Sequence, residues 1–288
     1  MKQSFTGARS WQLWLAIALM PLNWALETKK WHLLVNRYHP ISFLKAYEAV
    51  LSGLSLAMNT PNRIGEYGGR VLYLQPGFRL KGVALTVLSS IAQLLITLLM
   101  GWLALWALQP QLLAAYIADT GITDVLFRTF QFGVLAMIVV TALFYIRIQW
   151  FMHLLGWIPL VKKKFSFALV LEHITVSLLL QVLFFSFLRF MVFAIQYILF
   201  WNALNAALDP WQGFWCIALM FLVMAIVPTF AIAELGIRGK VAVAIAGLFT
   251  SNSLAIIAGT AGMWLLNLVL PALAGSLFLL TIKFFKER

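Results

Sequence analysis

Long apolar segments, separated by short polar stretches, run through most of this chain. The first apolar segment covers residues 11–35 and carries Asn23, Glu27 and Lys30 at positions i, i+4 and i+7. This spacing predicts an α-helix with all three polar side chains on one face. Because hydrocarbon does not accept such a face, we expect it to lie against protein.

The same pattern predicts further helices along the chain. Residues 42–58 form a segment that is short and polar for a complete membrane span. Longer or more apolar helices are expected over residues 80–108, 123–147, 176–204, 211–227 and 254–284, with a short apolar run at 241–249. We expect the 254–284 helix to be bent or locally loosened at Pro271, because proline removes a backbone donor.

Residues 148–160 are too short to cross a membrane. This stretch contains Trp150 and Trp157 and leads to Lys162–Lys164, which is typical of a helix at the membrane interface. Residues 167–175, with Glu172 and His173, are predicted to be a more polar entry to the following helix.

Two polar stretches that interrupt the apolar segments resemble each other, PNRIGEYGGR from Pro61 and PTFAIAELGIR from Pro228. Both read Pro, then Ile-small-Glu-x-Gly-x-Arg, which indicates an internal repeat. Repeat one covers about residues 11–147 and repeat two about 167–284. Each is predicted to contain a polar-faced helix, a short helix, the motif and further helix.

The repeats are predicted to have inverted orientations in the membrane. If each motif is the turn of a re-entrant or broken helix, the first polar-faced helix and the helices at 80–108 and 123–147 make three crossings before the second polar-faced helix. The second polar-faced helix then runs opposite to the first. The loops at 109–122 and 202–212 hold no Lys or Arg, whereas basic residues are frequent on the other side. Because Lys and Arg favour the cytoplasm, this bias places Lys162–Lys164 and the C-terminus there.

Composition supports a membrane protein and not a soluble one. Of 288 residues, 63% are hydrophobic and 10% charged, and the mean hydropathy is +0.93. We therefore expect an all-α polytopic membrane protein with a single domain, residues 1–288, in which the first helix is retained and is not a signal peptide. The net charge of +12 is attributed to cytoplasmic loops, so no nucleic-acid partner is expected. Cys216 is the single cysteine, which excludes an intrachain disulfide.

Charged residues at the centre of inverted repeats are typical of transporters with a site near the bilayer midplane. Arginine matches phosphate with a planar set of donors, glutamate matches an ammonium group, and glycines 65, 68, 69 and 236 are expected to let backbone N–H groups approach a headgroup. The partner predicted is a membrane lipid with an anionic or zwitterionic headgroup, and a homo-oligomer is possible. The candidate binding residues are Asn23, Lys30, Arg63, Glu66, Arg70, Arg189, Glu234 and Arg238.

Structural roles compete with these assignments. The first motif could be an ordinary cytoplasmic loop with a surface Glu–Arg pair. Both Glu–Arg pairs have i, i+4 spacing and could simply stabilise the start of a helix. Arg189 could bond neighbouring backbone carbonyls. The histidines lack metal-ligand spacing, so neither a metal nor another cofactor is expected.

Three function classes remain open. Lipid translocation fits the charged motifs best. An intramembrane enzyme acting on lipid carriers is the second class, but no HExxH, Walker A, GxSxG or paired-Asp motif occurs, and no catalytic residue is assigned. The third class is a membrane partner subunit of a lipid- or glycan-modifying enzyme. We therefore expect a transporter and not an enzyme.

The pattern Asn23-Trp24-x-Leu26-Glu27-x3-Trp31-x-Leu33-Leu34, together with the two motifs, resembles the integral-membrane domain of lysylphosphatidylglycerol synthases. The resemblance covers nearly the whole chain and implies a flippase-like fold and activity. It also implies a multi-pass protein of the bacterial cytoplasmic membrane. No aminoacyl-transferase domain follows in the sequence, so it resembles a stand-alone member that does not aminoacylate lipid. Gly239 stands where many members carry an acidic residue.

Overall fold

The computed structural model describes residues 10–58, 60, 63–120, 124–156, 166–227 and 231–286, and the described chain is almost entirely helical. The α-helices are α1 Ser10–Asn36, α2 Phe43–Met58, α3 Gly65–Val71, α4 Arg79–Ala107, α5 Gln109–Thr120, α6 Asp124–Ile146, α7 Ile148–Gly156, α8 Val176–Ala203, α9 Pro210–Ile226, α10 Ala231–Ala246, α11 Ser253–Trp264 and α12 Leu270–Lys286. Short 3-10 helices cover Pro76–Phe78 and Ser166–His173, and a π-helical turn covers Leu265–Val269. The all-α prediction is confirmed for this part of the chain.

Most predicted helices begin and end within two residues of the expected positions, and two predictions need correction. The 109–122 stretch was expected to be a loop, but Gln109–Thr120 forms α5. The run at 241–249 was treated as separate from the second motif. In the structure the helix Ala231–Ala246 contains both the Glu-x-Gly-x-Arg part of that motif and most of this run.

Side-chain caps fix where two of the helices begin. Asp209, in the 202–212 connection, accepts hydrogen bonds from the backbone N–H groups of Trp211 and Gln212, and Pro210 occupies the first turn of α9. Asn252 accepts from the backbone N–H of Ala255 at 3.1 Å at the start of α11. Asp209, the acidic residue of the 202–212 connection, therefore has a local structural role.

In the described part of the chain, four helices are long and apolar enough to cross a membrane: Pro76–Ala107, Asp124–Ile146, Val176–Ala203 and Ser253–Ile282. The last continues through the π-helical turn, which ends two residues before Pro271. The predicted loosening at this proline is therefore confirmed. Helix α1 has 27 residues but is not among these four, so its membrane crossing stays a prediction.

The chain divides into two compact units, and the boundaries fall inside helices. The first unit contains residues 1–22, 96–139 and 190–268. The second unit contains residues 23–95, 140–189 and 269–288. The first motif belongs to the second unit and the second motif to the first unit.

Close backbone contacts hold α2 at the centre of the second unit. Helix α3 packs against one side of α2 and α12 also contacts it. A Cβ built on Gly69 would lie 2.5 Å from Gly53 Cα, and one on Gly65 would lie 2.3 Å from the Leu56 carbonyl oxygen. A Cβ on Gly275 of α12 would lie 1.9 Å from the carbonyl oxygen of Leu51. Only glycine allows such approaches, so these positions are fixed by packing.

Gly69→Ala should therefore lower the melting temperature of the purified protein, because the new methyl group meets the backbone of α2. We expect a loss of about 1–3 kcal/mol, as for other overpacked sites. Gly68→Ala is the matched control, since a Cβ at Gly68 meets nothing within 4 Å. Alanine there should stabilise α3 by roughly 0.5–1 kcal/mol. Equal melting temperatures for the two variants would contradict this packing.

Several predictions fall on residues outside the described part of the chain. They concern Pro61 and Pro228 of the two motifs, Trp157, and the cytoplasmic position of Lys162–Lys164. These stay predictions. Helix α7 covers Ile148–Gly156 of the predicted interfacial helix, and Trp150 on it is exposed.

Candidate functional site

The polar face of α1 is buried, as the spacing predicted. Asn23 and Lys30 have no exposed surface, and Glu27 is 7% exposed. Lys30 Nζ lies 2.8 Å from Glu27 Oε2. The helix therefore carries a buried ion pair, with Asn23 one turn before the carboxylate.

Arg70 of α3 reaches the same carboxylate. Its Nη2 donates to Glu27 Oε1 at 2.9 Å and also pairs with Glu66 one turn earlier on α3. Thr60 Oγ1 accepts from the backbone N–H of Gly65 at 2.7 Å and so stabilises the start of this short helix. The Arg70 side chain is only 1% exposed. The interpretation of this motif as a surface loop is therefore wrong for its Arg70 end.

Arg189 of α8 is the third cation at Glu27. Its Nη1 lies 3.4 Å from Glu27 Oε2 and 3.4 Å from Gln93 Oε1. The guanidinium carbon also lies 5.2 Å from the centre of the Trp24 ring, within the range of a cation–π contact. Arg189 thus contacts side chains of α1 and α4, in addition to any role at backbone carbonyls.

Gln93 links three helices at this point. Its Oε1 accepts from Lys30 Nζ at 3.0 Å, and its Nε2 donates to the carbonyl oxygen of Ser186 on α8 at 3.3 Å. Because the side-chain oxygen and nitrogen of Gln93 are both hydrogen-bonded, this side chain holds the cations around it in place. It is therefore a positioning residue for Lys30 and Arg189.

Arg63 lies at the exposed edge of the group. Its side chain is 43% exposed, and its Nη2 is 3.6 Å from Glu66 Oε2. Its backbone φ is 59°, a left-handed conformation that is uncommon for a residue with a side chain. We call the set Glu27, Lys30, Arg63, Glu66, Arg70 and Arg189 the Glu27 cluster.

The Glu27 cluster carries more positive than negative charge. Four cationic side chains surround two carboxylates, which leaves two positive charges in excess. Arg70 also has two buried nitrogens, Nε and Nη1, with no hydrogen-bond partner among the described residues. Buried donors without partners cost free energy, and a buried charge costs more. The arrangement is suited to binding an anion.

The glycines of the first motif have a different role from the one predicted. Gly65 and Gly69 pack against α2 and cannot present their backbone to a headgroup on that side. Gly68 and Gly236 face open space, with nothing within 4 Å of a Cβ position. Close approach of a ligand to the backbone therefore stays a prediction for Gly68 and Gly236 alone.

The other two candidate residues, Glu234 and Arg238, form a separate pair within the first unit. Both lie on α10, and Arg238 Nη2 pairs with Glu234 Oε1. Arg238 Nη1 donates to the hydroxyl of Tyr197 on α8 at 3.1 Å. We call these three residues the Glu234 cluster. One cation and one carboxylate balance here, so this cluster has no excess charge.

A pocket of about 540 Å³ lies beside the Glu234 cluster, between α10 and α11. This volume is within the usual range for small-molecule sites. Its walls are mostly apolar, and Lys240 and Thr260 are the polar side chains among them. Gly236 and Gly239 also line it, so small residues keep this part of α10 open.

The spacing of polar residues pointed to most of the Glu27 cluster but assigned no binding role to Glu27 itself. It also missed Gln93 and Tyr197. A lone glutamine in the apolar α4 was the available signal for Gln93. Tyr197 had none, because a tyrosine in an apolar helix is ordinary.

In the described residues, no group of three or more His, Cys, Asp or Glu side chains could hold a metal ion. Comparisons with protein-family models, curated proteins and solved structures found no match for this chain. The resemblance to lysylphosphatidylglycerol synthases therefore stays a prediction from the motifs.

Proposed function

We propose that this protein translocates membrane lipids and binds their headgroups at the Glu27 cluster. The observation that carries this proposal is a buried group of charged side chains in which Arg70 has donors without a partner among the described residues. The described residues also include four membrane-capable helices. Charges of this kind inside a membrane domain usually mark the path of a substrate. A polar headgroup would cross beside the charges while its acyl chains stay in the bilayer.

The predicted internal repeat favours a transporter, and contacts of a similar type occur in both units. In each, the arginine of the motif pairs with a glutamate one turn earlier and also bonds a side chain of the polar-faced helix, Glu27 on α1 or Tyr197 on α8. Trp31 of α1 donates to Thr86 of α4, and Trp201 of α8 donates to Thr260 of α11. We infer that these are two inverted repeats, each with a broken or re-entrant helix at its motif.

The same proposal places the protein in a membrane and in a family. The basic residues after α1, α6 and α12 favour a cytoplasmic C-terminus in a bacterial cytoplasmic membrane. The motifs favour a relative of the lysylphosphatidylglycerol synthase membrane domain.

Translocation can be measured with the purified full chain in liposomes that contain trace acyl-labelled fluorescent phospholipids. We expect dithionite to bleach inner-leaflet label in the presence of the protein, because headgroups cross at the Glu27 cluster. Arg189→Gln should slow this step, since it removes one of the three cations around Glu27. Arg128→Gln is the matched control, because Arg128 pairs only with Asp124 on the exposed surface in the contacts observed.

If the wild-type protein moves neither anionic nor zwitterionic lipids in this assay, the transport proposal fails. The role of an enzyme on lipid carriers, or of a membrane partner subunit, would then be the better reading. If Arg189→Gln transports as well as Arg128→Gln, translocation does not depend on this cation.

A further inference from the structure

We propose that the Glu27 cluster selects a lipid whose headgroup is a phosphate monoester. The inference rests on the proposed function, because it names the substrate class of the same site. It comes from three properties of the cluster: its excess charge, the partners of its carboxylates, and the free donors of Arg70.

Charge is the first property. The cluster has two positive charges in excess. A phosphate monoester carries about −1.5 to −2 at pH 7, whereas a diester such as phosphatidylglycerol carries a single negative charge. A monoester therefore neutralises the cluster, and a diester leaves it positive. Within a membrane domain, uncompensated charge is costly, so this difference is large enough to select between lipids.

The carboxylates supply the second property. Glu27 lies within 3.4 Å of nitrogens from Lys30, Arg70 and Arg189, and Glu66 pairs with both Arg63 and Arg70. Each carboxylate of the cluster thus already has at least two cationic partners. A zwitterionic headgroup would need a carboxylate for its ammonium group, and both carboxylates are already paired with cations of the protein. The geometry favours an anion over a zwitterion.

The donors supply the third property. Nη2 of Arg70 is engaged by Glu27 and Glu66, while Nε and Nη1 are buried without a partner among the described residues. A phosphate oxygen accepts strongly from such donors, since both groups are charged. The Glu234 cluster has one arginine and one glutamate, with no excess charge. It lacks the charge that a monoester requires, so the two motifs have different roles.

Binding can be tested directly on the purified full chain in detergent. Short-chain phosphatidic acid, phosphatidylglycerol and phosphatidylcholine are titrated separately, with inorganic phosphate as the lipid-free arm. We expect phosphatidic acid to bind at least tenfold more tightly than the other two lipids. Inorganic phosphate should bind more weakly than phosphatidic acid, because it lacks acyl chains.

The pH dependence of binding separates titration of the ligand from titration of the protein. The second proton of a monoester leaves with a pKa of about 6, so phosphatidic acid should bind more tightly at pH 7.5 than at pH 5.5. Phosphatidylglycerol has no such proton and acts as the internal control for titration of Glu27, Glu66 and Lys30. Arg70→Lys should remove the preference for phosphatidic acid, and the exposed Arg128→Lys should keep it.

Equal affinity for phosphatidic acid and phosphatidylglycerol at both pH values would overturn the inference, as would tighter binding of phosphatidylcholine. Equal affinity for inorganic phosphate and phosphatidic acid would mean that the site binds a free anion and not a lipid. Because the readout is binding, its failure is distinct from failure of transport. A protein that translocates phosphatidylglycerol without a monoester preference keeps the proposed function and loses this inference.

Discussion

Glu27→Gln is expected to destabilise the protein more than any other single substitution in the Glu27 cluster. The carboxylate of Glu27 lies within 3.4 Å of nitrogens from Lys30, Arg70 and Arg189. Removing its charge leaves three mostly buried cations with Glu66 as the single carboxylate of the cluster. Breaking a buried ion pair by removing one partner costs about 3–5 kcal/mol. We expect a clearly lower melting temperature and loss of monodispersity in detergent.

The control for this variant is Asp124→Asn. Asp124 and Arg128 form an ion pair 2.8 Å apart on the exposed surface. Such pairs contribute about 0–1 kcal/mol, so the control should melt close to the wild type. The double variant Glu27→Gln with Lys30→Met removes one charge of each sign and should recover part of the lost stability. If Glu27→Gln melts like Asp124→Asn, Glu27 is not the centre of this cluster.

Much of the fold was predictable because long apolar segments with polar residues at helical spacing are a clear sequence pattern for helices. The polar residues of α1 repeat at helical spacing, and their side chains are buried together as expected. The π-helical turn before Pro271 was predictable as a local loosening, since proline has no backbone N–H to donate to the preceding turn. Helix α5 was not predictable in this way. The stretch 109–122 lies between two long apolar segments and was expected to be a loop, and its lack of Lys and Arg served only to orient the chain.

The candidate site was predictable in its residue types but not in its connections. Glu66 and Arg70 come close together because α3 is helical, which the Glu–Arg spacing indicated. Arg63 precedes α3 and contacts Glu66 from a left-handed backbone conformation. The contact from Arg70 to Glu27 joins positions 43 residues apart. A contact between residues so far apart in sequence depends on packing between helices, which the periodicity of a single segment does not predict. The same limit explains the two glycines of α3 that pack against α2.

The two motifs look equivalent in sequence and differ in their surroundings. Arg70 has two carboxylate partners and two nitrogens without a partner among the described residues. Arg238 has one carboxylate partner, the neutral hydroxyl of Tyr197 and one such nitrogen, Nε. Equal motifs therefore do not imply equal roles. The helix-bracing interpretation accounts well for the balanced Glu234 cluster and poorly for the excess charge around Glu27.

This difference makes Arg70 the most sensitive residue for transport. Arg70→Lys should already slow lipid translocation, because an ammonium group cannot reproduce the bidentate contact that a guanidinium makes with phosphate. The expected loss is about 1–3 kcal/mol, the range for a buried charge-assisted hydrogen bond left unmade. Arg70→Ala should slow it further. Rates come from dithionite bleaching in liposomes, normalised to the amount of inserted protein.

Folding has to be separated from binding in this test, since Glu27 and Glu66 both lose a partner when Arg70 is replaced. Only variants that insert and stay monodisperse are compared. Arg128→Lys controls for the exchange of arginine for lysine at an exposed pair of the same i, i+4 spacing. Arg238→Lys is expected to affect transport less than Arg70→Lys, because the Glu234 cluster has no excess charge to neutralise. Full transport by a well-folded Arg70→Ala variant would make the first motif a structural brace, and the headgroup site would then be sought around Arg189.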